Sequence, residues 1–114
     1  MMKSEFEERF KKEYLETSPL KKYKWIREYE FLKDRQFRFD FANVRNKIAI
    51  EIQGGIWRRG RHNTGYGIAK DTEKHNLAIL NGWKIFYITD YYIKKYQESI
   101  TEHLFTLLKG KQNE

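Results

Sequence analysis

"FRFDFANVRNKIAIEIQ", residues 37–53, carries two strand patterns separated by a polar turn. In its first half Phe37, Phe39 and Phe41 alternate with Arg38 and Asp40; in its second half Ile48, Ile50 and Ile52 alternate with Ala49, Glu51 and Gln53. Side chains of a strand alternate between its two faces, so each half has one apolar and one polar face. For the phenylalanines and isoleucines to share the core side of a hairpin, Phe41 must stand opposite Ile48 or Ile50. Either choice closes with an even loop of two or four residues, both common in hairpins.

Both pairings put Asp40 and Glu51 on one polar face, opposite or diagonal, with Cβ atoms roughly 5–8 Å apart. Carboxylates forced together beside a core favour a proton or a cation between them, because like charges repel at short range. Magnesium suits such a pair, since it takes hard oxygen ligands, keeps several waters and needs only one or two protein carboxylates. The competing reading has Arg38, Lys47 or another base neutralise the acids as surface ion pairs.

Outward from the hairpin, "KWIREYEF" (24–31) reads as a preceding strand, joined to it by a polar turn around Lys33 and Asp34. Ser4 to Thr17 sets Phe6, Phe10 and Tyr14 four apart, an amphipathic helix with Ser4 as N-cap and "SPL" as stop signal. A second helix is expected from about Lys70 to Asn81, with Leu77, Ala78 and Leu80 partly inward and Gly82 at its C-terminal cap. "WKIFYIT" (83–89) has bulky residues on both faces, which fits a strand covered on both sides better than an exposed edge. Thr89 or Asp90 caps a last helix whose stripe of Ile93, Tyr96, Ile100, Leu104, Leu107 and Leu108 ends at Gly110. The order αβββαβα implies an α/β fold: a mixed sheet flanked by helices, with the final strand parallel to a strand of the preceding meander.

The 114 residues are read as one domain, 1–114, large enough for a core and too small for two. No repeat or low-complexity stretch interrupts them, and Pro19 is the single proline. Without cysteine there is neither a disulfide nor a thiolate metal site. No apolar run approaches the length of a bilayer span and the first residues lack a signal-like block, so a soluble, intracellular protein without membrane association is expected. The formal charge of +7 suits a polyanionic partner.

After the hairpin, "GGIWRRGRHNTGYG" (54–67) abandons the strand pattern. Gly54 and Gly55 allow close approach of another backbone, and Trp57 can plug or stack at the rim. Arg58, Arg59 and Arg61 offer forked donors to phosphate oxygens. Gly60, Gly65 and Gly67 are expected to keep the segment mobile until a partner orders it. His62 alone is an ordinary loop histidine.

Asp40 followed by Glu51-Ile52-Gln53, within helix, three strands, helix, strand, resembles the PD-(D/E)XK nuclease superfamily. The wider pattern "RFDFA…KIAIEIQGGIW…GRH…G.G…D.EK.N.A.L.GWKI…T", from about Arg27 to Thr89, looks like the branch of very-short-patch repair endonucleases and the small phage and bacterial endonucleases related to them. The resemblance implies a restriction-endonuclease-like core. It also implies Asp40 as principal metal ligand, Glu51 as a second carboxylate and the backbone carbonyl of Ile52 as a third donor. Gln53 stands where many members carry a catalytic lysine; it can at most orient a water, and Lys70 or Lys74, one turn apart on a helix, are the candidates to replace the missing ammonium. Glu7 fits the glutamate that members often supply from the first helix, though an acid in a first turn also simply favours the helix dipole. His62 would polarise a water or the scissile phosphate.

The activity so implied is a magnesium-dependent endodeoxyribonuclease, with Mn²⁺ able to substitute, leaving 5′-phosphates and selecting branched, flapped or mismatched DNA, Holliday junctions included. Its setting would be phage replication or bacterial DNA repair and recombination, in the cytoplasm of the bacterium or phage-infected host. A homodimer is one form this could take, with Tyr91, Tyr92 and Tyr96 either at its interface or capping the core. The alternative is a non-catalytic DNA-binding module on the same fold. A His-Asn-His nuclease, prompted by "RHN" and "KHN", fits poorly because it leaves Asp40 and Glu51 unexplained.

Overall fold

The computed structural model describes residues 2–53 and 65–110. The central hairpin takes the pairing with Phe41 opposite Ile50, Ala42 opposite Ala49 and Asn43 opposite Ile48, so the strands β2 (Arg38–Asn43) and β3 (Ile48–Ile52) are joined by the turn 44–47. β1 (Ile26–Glu30) pairs antiparallel with β2. β4 (Lys84–Ile88) lies parallel to β3, giving a four-stranded mixed sheet in the order β1-β2-β3-β4. The parallel step requires a crossover, supplied by α2 (Gly65–Leu80).

Helices cover both faces of this sheet. Ile48, Ile50 and Ile52 of β3 join Phe41 and Ile88 in a cluster with Phe10 and Tyr14 of the first helical segment and Ile100, Leu104 and Leu108 of the last helix. Ala49, on the opposite face, joins Ala42, Phe39, Ala78 and Trp83 under α2. α2 stops where Gly82 adopts φ +85°. Its N–H donates to the Ile79 carbonyl at 3.0 Å and that of Trp83 to the Ala78 carbonyl at 3.0 Å, the paired bonds of a left-handed glycine stop.

Several expectations are corrected. α1 starts at Lys3 (Lys3–Phe10), so Ser4 lies in its first turn and is not its cap. The helix runs on through Lys11–Leu15 with wider turns, the N–H of Glu16 reaching the Lys11 carbonyl at 2.9 Å. α2 begins before Lys70, so Gly65 and Gly67 belong to its first turn and not to a loop. β4 packs on both faces, Ile85 joining the cluster under α2 and Phe86 and Ile88 the cluster on the other side, yet it forms an edge of the sheet. The last helix is divided into α3 (Asp90–Tyr96) and α4 (Ile100–Gly110). Thr89 caps α3, its Oγ1 accepting the Tyr92 N–H at 3.0 Å, and α4 restarts where the Ser99 carbonyl accepts the His103 N–H at 2.8 Å.

The correction that matters most lies in β2. Phe39 and Phe41 do not share a face: Phe41 packs with Phe10, whereas Phe39 stacks on Phe31 at 4.3 Å and packs on Trp83 at 4.9 Å. β1 changes sides at the same level, Arg27 lying over the Phe41 ring and Tyr29 against Trp83. Pairs run Ile26–Ala42, Arg27–Phe41, Tyr29–Phe39 and Glu30–Arg38, passing over Glu28 and Asp40. Glu28 has φ +55°, a left-handed conformation that breaks the alternation there. Phe37 stays outside β2, half-buried, with the Arg35 and Lys70 cations over its ring. No helix among the described residues is long and apolar enough to cross a membrane.

Candidate active site

The slip in β2 turns Asp40 toward β3. Asp40 Oδ2 accepts the Ile52 N–H at 2.6 Å, and the Asp40 N–H donates to Glu51 Oε2 at 2.9 Å. Side-chain oxygens thus take over from the backbone ladder beyond the Phe41–Ile50 pair. Both acids line one cleft of about 190 Å³ together with Lys3, Gln53, Lys74 and His75.

The charges that meet the acids come from helices on opposite faces of the sheet. Lys3 of α1 reaches Asp40 Oδ1 at 3.3 Å and Glu7 Oε2 at 3.7 Å. Lys74 of α2 donates to Glu51 Oε1. Lys70, one turn earlier, has its ammonium 5.8 Å from the Phe37 ring centre instead, so of the two lysines Lys74 is the one beside the motif acids. Arg38 pairs with Glu30 and Lys47 donates to the Asn81 carbonyl, so neither of these two bases meets Asp40 or Glu51; Lys3 and Lys74 are the bases that take the part the ion-pair reading of the hairpin left open.

Glu7 is 4 % exposed and Asp40 7 %. With Glu28 they form a group in which one carboxylate oxygen from each residue lies within 4.8 Å of the others. Arg27 spans the flank of this group, reaching Glu7 Oε1 at 3.1 Å and Glu8 Oε2 at 2.7 Å. Burial raises the proton affinity of Glu7 above the usual carboxylate range, and the charge of Asp40 adds to it, outweighing Arg27 and Lys3. Burial likewise raises that of Glu51, with Lys74 opposing and Asp40 reinforcing the shift.

A hard divalent cation fits this donor set: every candidate ligand is a carboxylate oxygen, and carboxylates gathered at short range gain from positive charge between them. The set differs from the sequence expectation. Asp40 is common to both, but Glu7 and Glu28 crowd around it, whereas Glu51 is engaged by Lys74 and the Asp40 N–H, and the Ile52 peptide contributes an N–H to Asp40.

Gln53 borders the cleft, its N–H bonded to the Ile88 carbonyl at 2.7 Å. Sequence reading missed Lys3, Arg27 and Glu28. The i, i+4 spacing of Lys3 and Glu7 was a legible signal; nothing local marked Glu28. His75, whose Nδ1 lies 2.8 Å from the Tyr87 hydroxyl on the cleft wall, was noticed only within "KHN". Arg58, Arg59, Arg61 and His62 lie outside the described residues, as do Gly54, Gly55, Trp57 and Gly60. Tyr91 is exposed, Tyr96 partly so, and Tyr92 packs against the core.

The chain matches no protein-family model, no curated protein and no solved structure. The site is therefore read from its own geometry.

Proposed function

We propose that the protein is a magnesium-dependent endodeoxyribonuclease with a restriction-endonuclease-like core. The observation that supports this reading best is the clasp of Asp40 and Glu51 in one cleft, flanked by buried Glu7 and by the ammonium of Lys74. Asp40, Glu7 and Glu28 are the residues that would hold Mg²⁺, or Mn²⁺ in its place, with Glu51 adding negative charge beside them. Such an ion supplies an acidified water and offsets charge developing on a phosphoryl group.

The remaining work belongs to the chain. Lys74 balances Glu51 and offers positive charge to a phosphate oxygen. Glu51, whose burial raises its proton affinity, is better suited to take up a proton than an exposed carboxylate. Lys3 orients Asp40, and Arg27 orients Glu7. Gln53 replaces the motif lysine as a hydrogen-bonding group without charge. The arginines of segment 54–64 and His62 complete the proposal as phosphate contacts and a polarising group, and Lys70 as a further phosphate contact.

The substrate proposed is branched, flapped or mismatched DNA, cut to leave 5′-phosphates in phage or bacterial repair and recombination, with Holliday-junction resolution by a homodimer as one form of it. A non-catalytic DNA-binding module is the second reading, favoured by Gln53 and by the lysine partners that both motif acids already have. One experiment separates them: incubation of a panel of linear, flapped, mismatched and four-way DNA with wild type, Asp40→Asn and Glu51→Gln, with magnesium and with chelator. Magnesium-dependent cutting by wild type alone supports the nuclease. DNA binding indifferent to chelator with no product from any substrate selects the binding module.

A further inference from the structure

A second recess, of about 510 Å³, lies at the turn end of the β2–β3 hairpin, away from the acids. It is lined by Lys22, Tyr23, Lys24, Asn43, Arg45 and Asn46. Its three cations converge with two amides, and none of the six side chains is acidic. Among the described residues no carboxylate pairs with Lys22, Lys24 or Arg45.

This convergence is built into the fold. Asn43 is 3 % exposed. Its Nδ2 donates to the Lys24 carbonyl at 3.0 Å, and its Oδ1 accepts both the N–H and the side-chain Nδ2 of Asn46 at 2.9 Å. One buried amide therefore ties the segment bearing Lys22 and Lys24 to the turn bearing Arg45. Lys22 is held at the wall over the rings of Tyr23 and Phe105, at 5.4 and 5.3 Å. Like charges gathered without an acid favour an anionic ligand, and three of them spread over such a volume suit a polyanion better than a single small ion.

We infer that this recess grips the phosphate backbone of duplex DNA at a point distinct from the cleft; that the polyanion is DNA rests on the nuclease reading above. Three residue steps along β2 lead from Asp40 to Asn43, roughly 10 Å at about 3.3 Å per residue. That span equals about three base-pair steps along a duplex. With the duplex axis aligned along β2, the recess holds backbone about three steps from the phosphate presented to the acids.

The test uses full-length protein carrying Asp40→Asn, so that DNA stays intact, and measures duplex affinity across a salt series. Glutamine at Lys22, Lys24 and Arg45 removes charge while keeping much of each stem. Each phosphate neutralised contributes about 0.9 to the slope of log affinity against log salt. The triple variant is expected to flatten that slope by about 2 to 3, and each single change by about 1. A control of equal charge loss, Lys12→Gln with Lys33→Gln and Lys94→Gln, is expected to change it far less. Equal flattening in the control, or none in the triple variant and the single variants, overturns the inference. So does a triple variant that releases anionic phospholipid vesicles while its DNA slope is unchanged. A flattened slope in a protein whose wild type cuts no DNA keeps the recess and removes the nuclease; magnesium-dependent cutting with an unchanged slope does the reverse.

Discussion

Asp40 and Glu51 hold each other through the backbone: the Asp40 N–H donates to Glu51 Oε2 at 2.9 Å, and Asp40 Oδ2 accepts from the N–H of Ile52, the residue after Glu51, at 2.6 Å. An asparagine at position 40 keeps an acceptor for that N–H but removes the charge. Asp40→Asn is therefore expected to stay folded and to bind DNA while losing cleavage by about 100-fold or more, at or beyond what groups that merely support a metal ligand cost. Initial rates on a labelled substrate in magnesium, beside a thermal melt, check both halves.

Lys74 and Lys70 are separable by the same assay. Lys74 meets Glu51, while the Lys70 ammonium lies over Phe37. Lys74→Gln is expected to reduce single-turnover cleavage by about 100-fold, the scale of a lost electrostatic stabiliser, and Lys70→Gln to act mainly on affinity. Equal effects on the cleavage rate at saturating DNA would remove Lys74 from its proposed role.

Glu28 gives a prediction about stability. A side chain in the left-handed region costs roughly 1–2 kcal/mol, which glycine escapes. Glu28→Gly is expected to melt about 4 °C above Glu28→Ala, taking about 1 kcal/mol as the net relief in a domain of this size. Both variants lose the same carboxylate, so the comparison isolates the backbone. Melting points that coincide would deny strain at this position.

Glu7 titrates in the opposite sense to a salt-bridged surface acid. Its proton affinity is raised in the folded state, so its stabilising contribution is full below the pKa of the unfolded chain and is lost as pH rises through the folded pKa. Glu7→Gln is accordingly expected to gain stability over wild type at pH 8 and to lose that advantage below the ordinary carboxylate range, about pH 4. Melts of the two proteins across pH show whether the difference has this sign.

Magnesium is expected to stabilise the folded chain in the absence of DNA. At a concentration about 100 times its dissociation constant the gain is about 2.7 kcal/mol, a rise on the order of 10 °C in melting temperature. Chelator should reverse it and Asp40→Asn should abolish it. An identical rise in wild type and Asp40→Asn would assign the effect to other surface acids.

The alternation of Ile48, Ile50 and Ile52 made β3 legible residue by residue, and keeping the apolar faces together narrowed the turn to two or four residues, of which the structure takes four. The neighbouring strand was misread because period-two reasoning assumes an unbroken pleat; the alternation is interrupted at Asp40, at the level where β1 carries Glu28 at φ +55°, and Phe39 lies on the other face. The same backbone event brings Glu28 beside Asp40 and Glu7, so the composition of the acidic group was hidden for the reason that hid the slip. Lys74 could be nominated from spacing but not chosen over Lys70, since the choice depends on how α2 crosses the sheet. The division at residues 97–99 escaped notice because the apolar stripe from Ile93 to Leu108 continues through it; Ser99, a residue well suited to begin a helix, was the available hint.

The cleft and the acidic group that shares Asp40 with it gather Lys3 and Glu7 from α1, Glu28 from β1, Asp40 from β2, Glu51 from β3 and Lys74 from α2. No contiguous fragment shorter than that span contains the set, and detaching α1 alone removes two of its charges. Under the proposed function, assembly of the acids and completion of the tertiary structure are consequently coupled, so magnesium-dependent cleavage should vanish no later than the ordered sheet as denaturant rises and leave no cutting by a partially unfolded species.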